Sequence, residues 1–163
     1  MTNSRIKIFT CGGTIDKNYF DAKSEYQVGT PQIVNILKEA NVTFDYEIVS
    51  IMKKDSLDME DSDRELIYKT VNDTEDTHIL ITHGTDGLVK TALALTSIPG
   101  KTIVLTGSMQ PAQSRISDAI FNIGYAIAAI HILPAGVYVA MNGQILDPRH
   151  TEKNRKKNIF EQK

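Results

Sequence analysis

Residues 77–87 read Thr-His-Ile-Leu-Ile-Thr-His-Gly-Thr-Asp-Gly, a short apolar run that stops abruptly at polar residues and glycine. Residues 79–81 are too few for a core helix and are bounded by turn residues, which favours a strand buried on both faces. Residues 82–87 would then lie at the carboxyl end of that strand, where open α/β sheets bind their ligands. A structural role is equally open, in which Asp86 only caps a helix that begins near Leu88.

A second segment has the same design. Residues 5–10 (Arg-Ile-Lys-Ile-Phe-Thr) form a short β-rich run, followed at once by Cys-Gly-Gly-Thr-Ile-Asp at 11–16. Paired glycines after a strand allow positive φ or a close approach of the backbone to a ligand, and Thr14 would present its hydroxyl from a tight turn. The pair is neither a full G-x-G-x-x-G fingerprint nor a P-loop, so a plain turn is the alternative.

Composition limits the classes of function. The chain has 163 residues, which is the size of one domain, and we predict a single domain over 1–163. Its 18 Lys and Arg against 20 Asp and Glu give a net charge of −2, which provides no electrostatic footprint for nucleic acid or an acidic membrane. We therefore expect a small-molecule partner.

The compartment is predicted from cysteine and leader signals. Cys11 is the one cysteine of the sequence, so it cannot form an internal disulfide, and the first residues lack the apolar region of a secretory signal. The longest mostly apolar stretch, 119–135, contains Asn122 and His131 and falls short of a membrane span. These features predict a cytoplasmic protein.

Alternating helix and strand patterns predict a three-layer α/β/α sandwich with a mostly parallel sheet. Thr30 and Pro31 indicate the start of a helix that reaches about residue 41, and Ser62 with Glu65 matches a capping box before the next helix. We expect a loop or loose hairpin after Asp16, an edge strand at 43–50, a helix at 88–97, a strand at 101–106 and a last core strand at 136–140. A further helix is expected from Ser117 or Asp118. It places Ile120 and Ala128 on a broad apolar face, which predicts that the helix is largely buried. Asn142-Gly143 is a hairpin-turn signal, and the basic stretch 149–157 is typical of a solvated or loosely ordered tail.

The motifs resemble those of one family, the bacterial-type L-asparaginases. Its T-G-G-T-I motif is similar to residues 11–15, with cysteine at the first position, and its H-G-T-D motif is present unchanged at 83–86. Three further segments follow the family pattern in order: Asp-Ser-Leu-Asp-Met at 55–59, Thr-Gly-Ser-Met-Gln-Pro at 106–111, and Leu-Asp-x-Arg at 146–149 followed by Lys153. The resemblance covers nearly the whole chain.

The resemblance implies a hydrolase that converts L-asparagine to L-aspartate and ammonia without a cofactor. Thr14 would be the nucleophile, with Tyr26 as the first candidate for its proton relay. Thr85, Asp86 and Lys153 would form a second cluster that activates water, since an ammonium beside a hydroxyl lowers the cost of deprotonating it.

Substrate-binding roles follow from the same resemblance. Ser56 with Asp86 would bind the α-carboxylate and α-amino groups, beside Asp55 of the same segment. Backbone at Gly13 to Thr14 and at Gly84 to Thr85 could donate hydrogen bonds to an oxyanion, and Ser108 lies where the family contacts the amide.

The chain also departs from the family pattern. Full-length members carry a second, carboxyl-terminal domain, and a carboxylate of each site comes from that domain of a neighbouring subunit. This domain is absent from the 163 residues, so we hypothesise that Tyr19 or Glu25 on the first loop supplies the missing function. The change to Cys11 is expected to be conservative, with its side chain packed rather than reactive.

Two alternatives to the hydrolase stay open: an amino-acid-binding or regulatory module with little turnover, and an ammonia-generating subunit of an amidotransferase. His78 and His83 have no partner at metal-ligand spacing, so we expect no metal. Because family sites lie at subunit contacts, we expect a homodimer or homotetramer.

Overall fold

The computed structural model describes residues 4–163, which form a six-stranded central sheet, two separate hairpins and four α-helices. The strands are β1 (Ile6–Gly12), β2 (Lys17–Phe20), β3 (Glu25–Val28), β4 (Tyr46–Lys54), β5 (His78–Thr82), β6 (Thr102–Thr106), β7 (Gly136–Met141), β8 (Gln144–Leu146), β9 (Thr151–Asn154) and β10 (Ile159–Gln162). The helices are α1 (Ile33–Glu39), α2 (Asp61–Asp73), α3 (Leu88–Leu95) and α4 (Ala119–Ile132).

The sheet order is β4-β1-β5-β6-β7-β8, in which every neighbouring pair is parallel except β7 and β8. The strand β5 lies inside the sheet and is buried on both faces, as its apolar run predicts. The edge position of β4 is also confirmed. Asn142 and Gly143 both have positive φ, so they make the predicted tight turn between the antiparallel strands β7 and β8.

Helices cover both faces of the sheet. Side chains of α2 and α3, among them Ile67, Val71 and Leu95, pack on the face that carries Phe9 and Ile81. Side chains of α1 and α4, among them Leu37 and Ile130, pack on the face that carries Ile8 and Leu80. Adjacent residues of a strand point to opposite faces, so the two cores are separate. The three-layer α/β/α sandwich is confirmed.

Two predicted helix starts are wrong. The helix α1 begins at Ile33, and the carboxylate of Asp16 accepts a hydrogen bond from the N–H of Gln32 just before it, at 2.8 Å. This long-range cap replaces the local cap expected from Thr30 and Pro31. The capping box of α2 is formed by Glu60 and Asp63 rather than by Ser62 and Glu65.

The apolar face of α4 is only partly buried. Ile123, Ala126 and Ile130 lie in the core, but Ile120 is 62% exposed. Ala128 is exposed as well, so the prediction of a largely buried helix is wrong for this side. None of the helices within residues 4–163 combines the length and the apolar character that crossing a bilayer needs.

The basic stretch 149–157 is not a loose tail. It contains β9, which pairs in antiparallel register with β10, and this pairing sets Lys153 opposite Phe160. The side chain of Phe160 is fully buried in the core that α2 and α3 cover, and its N–H donates to Oδ1 of Asn142 at 2.8 Å. A single aromatic anchor therefore holds the hairpin and its lysine in place.

Candidate functional site

The turns that follow β4, β1, β5 and β6 lie side by side at the carboxyl ends of these strands, because the strands are parallel neighbours. They contain the segments 55–59, 11–16, 83–87 and 106–111 singled out in the sequence. Thr14 is the partly exposed residue of 11–16, and its neighbours there are buried. Its side chain therefore offers the accessible hydroxyl of the first turn.

Two glycines bring the turns after β1 and β5 into backbone contact. Gly13 has φ +88°, and a Cβ built on it would overlap the backbone of Gly84. A Cβ on Gly84 would in turn meet Ser56, whose own Cβ would lie 2.7 Å away. Only residues without a side chain allow this packing. Thr14 and Thr85 each follow one of the two glycines in the sequence, so both threonines lie at the same contact between turns. We call this contact the junction, and it consists of residues 13–14 and 84–85.

Lys153 reaches this junction from the last hairpin. Its Nζ donates to Oγ1 of Thr85 at 2.8 Å and to Oδ1 of Asp86 at 2.9 Å. The lysine side chain is only 13% exposed, and Thr85 is buried. Asp86 does not cap α3, because its carboxylate is paired with Lys153 and the N–H at the start of that helix, on Gly87, donates to Ser56 instead. The ammonium, the hydroxyl and the carboxylate expected to cluster therefore lie in direct contact.

Asp86 has a second cationic partner that the sequence reasoning missed. Nε of Arg155 lies 3.2 Å from the same oxygen, Oδ1, that Lys153 contacts. Arg155 lies in the basic stretch 149–157, and its position two residues beyond Lys153 is the sequence signal that could have found it.

Asp55 and Lys17 form an ion pair across the site, with 2.7 Å between Nζ and Oδ2. Burial opposes ionisation of Asp55, but hydrogen bonds from Lys17 and the N–H of Leu57, with the charges of Lys17 and Lys153, leave its pKa below the ordinary value. Asp55 therefore stays a carboxylate and holds β2 against the turn after β4.

Ser56 and Ser108 are both buried. Oγ of Ser56 accepts the N–H of Gly87 at 3.0 Å, which ties the turn after β4 to the turn after β5. The hydroxyl of Ser108 donates to the carbonyl of Gln110 within its own turn. The N–H of Gly13 donates to the carbonyl of Lys54. This donor is therefore occupied within the protein, whereas the family resemblance implies that backbone at Gly13 to Thr14 could donate to an oxyanion.

The first loop is the antiparallel hairpin β2–β3, in which Tyr19 pairs with Tyr26. The two rings make an edge contact with centroids 5.5 Å apart, and both side chains are exposed. Tyr26 lines a cleft of about 600 Å³ together with Lys17, Lys53 and Asp55. Glu25 is exposed and accepts a hydrogen bond from Gln27. This hairpin is joined to the turn after β4 by the pair of Lys17 with Asp55 and by the cleft that the two elements share.

Asp16 fixes the turn that carries Thr14. Its N–H donates to the carbonyl of Gly13, its carbonyl accepts the N–H of Gly29, and its carboxylate accepts the N–H of Gln32. Burial raises the pKa of Asp16 to about 6, against the lowering effects of the Gln32 N–H and the charge of Lys53. A single residue thus joins the turn, the hairpin and α1.

His83 is a buried support rather than an exposed base. Its Nδ1 lies 2.8 Å from the carbonyl oxygen of Gly84, which can only accept, so Nδ1 carries the proton. Nε2 lies 2.8 Å from the hydroxyl of Thr91, which then donates to it. Burial lowers the pKa of His83 to about 4, assisted by the charge of Arg64 and opposed by the bond to Gly84. The imidazole is therefore neutral and locks Gly84 to α3.

Asp118 and Asn122 hold the turn after β6, and sequence reasoning missed this function. The carboxylate of Asp118 accepts the N–H groups of Met109 and Gln110 at 2.9 to 3.1 Å. Nδ2 of Asn122 donates to the carbonyl of Gly107 at 2.9 Å. The i, i+4 spacing of the two side chains at the start of α4 is the only sequence signal for their pairing.

Cys11 occupies the first position of its motif with its side chain in the core. The residue is fully buried, and burial raises the pKa of the thiol to about 12. It is packed rather than reactive, as expected. Across residues 4–163, no three His, Cys, Asp or Glu side chains are grouped closely enough to hold a metal ion.

Residues 5–161 match a family model described as the amino-terminal domain of asparaginase. L-asparaginase 2 of Escherichia coli is 33% identical over 159 residues, which are 91% of this chain and 46% of that protein. A Haemophilus influenzae protein named a probable periplasmic L-asparaginase is 31% identical over the same two shares. The chain therefore spans about half the length of the curated relatives it matches.

Solved structures agree with the fold. The thermostable L-asparaginase from Thermococcus kodakarensis superposes with a TM-score of 0.83 at 28% identity, over 97% of this chain and 51% of that one. A probable cytoplasmic L-asparaginase from Campylobacter jejuni gives a TM-score of 0.77 at 29% identity, over 98% and 51%.

Proposed function

The chain belongs to the asparaginase family, and on that premise we propose that it hydrolyses the side-chain amide of L-asparagine to L-aspartate and ammonia, with Thr14 as the nucleophile. The observation that carries this proposal is the contact of the Lys153 ammonium with both the Thr85 hydroxyl and the Asp86 carboxylate. An ammonium held against a buried hydroxyl stabilises the negative charge that develops on the oxygen when the proton of that hydroxyl is transferred.

In the first step, Oγ1 of Thr14 adds to the carbon of the side-chain amide. The hydroxyl proton passes through a relay to the amide nitrogen, the C–N bond breaks, and ammonia leaves. The product is an ester between Thr14 and the aspartyl group. Tyr26 is the proposed relay, because its exposed ring lines the cleft beside the junction. Tyr19 or Glu25, which pair with Tyr26 and Phe20 on the same hairpin, is the proposed replacement for the carboxylate that the second family domain supplies.

In the second step, water adds to the ester and restores the Thr14 hydroxyl. The C–O bond to Thr14 breaks, one proton of the water passes to Oγ1 of Thr14, and L-aspartate leaves as its new carboxyl group loses the other proton to solvent. The Thr85 hydroxyl, held by the Lys153 ammonium, orients this water, and Asp86 keeps the lysine in position. The N–H groups of Thr14 and Thr85, at the ends of two facing turns, are the proposed donors to the oxyanion of both steps.

Substrate recognition is assigned to the surrounding turns. Asp86 accepts the α-ammonium, and the hydroxyl of Ser56 donates to the α-carboxylate while its oxygen holds Gly87. Asp55 supports this turn through Lys17, and Gly13 and Gly84 let the turns after β1, β4 and β5 pack closely enough to bring these groups together. We retain Ser108 as a contact for the amide, although its hydroxyl donates within its own turn in the free protein.

Ammonia release from L-asparagine by the purified chain tests the proposal. We expect Thr14→Ala to lower kcat by roughly 1,000-fold or more and Lys153→Met by roughly 100-fold, as losses of a nucleophile and of charge stabilisation do. Lys157→Met, in the exposed turn of the same hairpin, is the matched control and should stay within about twofold, as surface changes do.

Three other outcomes have defined meanings. Binding of L-asparagine without ammonia release would instead identify an amino-acid-binding module. Ammonia release that requires a second protein would favour the amidotransferase subunit. Tyr19→Phe with full activity would remove Tyr19 from the site.

Self-association and compartment complete the proposal. A homodimer or homotetramer is supported by the exposed apolar residues at the start of α4. A cytoplasmic location is supported by the free thiol of Cys11 and by the similarity to the Campylobacter protein, which is named as cytoplasmic, whereas the Haemophilus relative is named periplasmic. Fractionation of the native organism would decide between the two compartments.

A further inference from the structure

Arg155 reaches the candidate site from the same hairpin as Lys153, but its side chain is much more exposed to solvent. Its side chain is 68% exposed, whereas that of Lys153 is 13% exposed. Only Nε contacts Asp86, and within residues 4–163 the two terminal nitrogens of Arg155 have no hydrogen bond or ion pair. Its guanidinium therefore has unused donors next to the Asp86 carboxylate.

The ion pairs of Asp86 are unequal. Lys153 contributes a mostly buried pair that is also tied to Thr85, so it has little freedom to move. The pair with Arg155 is open to water, and exposed pairs of this kind are weak and readily exchanged. A ligand that offers Asp86 another cation can thus displace Arg155 without disturbing Lys153.

The charges of the cluster favour a zwitterion. Lys153 and Arg155 bring two positive charges to the single negative charge of Asp86, which leaves one cation in excess. An α-ammonium alone would add a further positive charge there. An α-amino acid instead brings its own carboxylate, which can pair with the planar donor edge of a guanidinium.

We propose that Arg155 is a specificity residue that releases Asp86 to the α-ammonium of the substrate and then binds its α-carboxylate. The inference rests on the function proposed above and deepens it. The ligand class is a free α-amino acid, and molecules whose α-carboxylate is amidated are disfavoured. The hydroxyl of Ser56 binds the other carboxylate oxygen from inside the junction.

Calorimetric binding of L-aspartate, together with turnover of L-asparagine and of its α-amide, tests the assignment. We expect Arg155→Met to raise the Kd for L-aspartate and the KM for L-asparagine by about 10- to 100-fold, the typical effect of losing a charge-assisted pair. kcat should change by less than about threefold, since the reacting atoms are untouched. The α-amide should be equally poor for the wild type and the variant.

Lys156→Met is the matched control, because it removes the same charge from the adjacent exposed residue. Arg155→Lys keeps the charge without the planar fork and should lie between the wild type and Arg155→Met. Arg155→Met and Lys156→Met with equal Kd for L-aspartate would overturn the assignment alone. A wild-type chain that neither binds L-aspartate nor turns over L-asparagine would overturn the proposed function and the assignment with it.

Discussion

Asp16 shows how a single side chain fixes the geometry of the first turn at a cost to stability. Its carboxylate caps α1 from a distance in sequence, and its backbone joins the Thr14 turn to the β2–β3 hairpin. The same burial that makes these contacts specific raises its pKa to about 6. The ionised form is therefore less favourable in the folded protein than in the unfolded chain.

The pH dependence of Asp16 has a definite sign. Between its ordinary value of 3.8 and about 6, the unfolded chain has lost the proton and the folded chain still binds it. The contribution of Asp16 to stability falls across this range and stays low above it. We expect Asp16→Asn to be more stable relative to wild type at pH 8 than at pH 4, by up to roughly 3 kcal/mol.

Urea unfolding of both proteins at the two pH values measures this difference. His83 changes in the opposite direction, because its pKa is lowered to about 4 and stability is lost as pH falls below 6.5. Both proteins contain His83, so its effect cancels in the comparison. An equal stability difference at pH 4 and pH 8 would show that Asp16 does not titrate as described.

At the scale of elements, the turn after β1 can pack against the turn after β5 only because residue 13 is a glycine. We expect Gly13→Ala to lower the free energy of unfolding by at least about 2 kcal/mol, because positive φ and overlap with Gly84 act together. Gly100→Ala is the control: it has φ +70° and no atom within 4 Å of its Cβ, so only the conformational cost of about 1 kcal/mol applies. Denaturant unfolding measures both, and equal losses would rule out the overlap.

The β9–β10 hairpin depends on its aromatic anchor. Phe160→Ala should destabilise the protein by about 3 to 5 kcal/mol, because the ring is fully buried. It should also reduce the kcat for asparagine, since Lys153 is paired with this residue across the hairpin. Thermal unfolding and ammonia release measure the two effects. Phe121→Ala, at a 61% exposed ring, should cost less than about 1 kcal/mol.

Elements with local signals were predictable from the sequence, and those with distant partners were not. The strand β5 and the turn at Asn142 and Gly143 are determined by their own residues, an apolar run in the first case and an Asn-Gly pair in the second. The cap of α1 comes instead from Asp16, and the order of 151–162 comes from Phe160 in a core built by other segments. Composition made this hairpin resemble a solvated tail because its charges outnumber its single buried anchor.

For the whole molecule, the start of α4 presents apolar side chains to solvent. Ile116, Ile120 and Phe121 are all exposed, and Ile116 is the most exposed of the three at 82%. We expect sedimentation to show species heavier than the 18.1 kDa monomer, because burial of such a patch favours association. Ile120→Lys should shift the distribution towards monomer. A monomer alone at all concentrations for the wild type would contradict the expectation.

The candidate site was predictable where a family motif names the residue and not where contacts cross between motifs. The resemblance led to Thr85, Asp86 and Lys153, which the structure brings into contact. The pairs of Lys17 with Asp55 and of Arg155 with Asp86 carry no motif, since each joins residues far apart in sequence. Such pairs follow from the order of strands in the sheet, which local patterns do not encode.

Lys153 belongs to the last hairpin, whereas the two threonine turns follow β1 and β5, which are neighbours inside the sheet. Thr14 lies near one end of residues 4–163 and Lys153 near the other, so the complete cluster can form only after nearly all of these residues have been synthesised. A nascent chain therefore has both threonine turns before it has the cation, and any activity that depends on Lys153 is delayed until the last hairpin has left the ribosome.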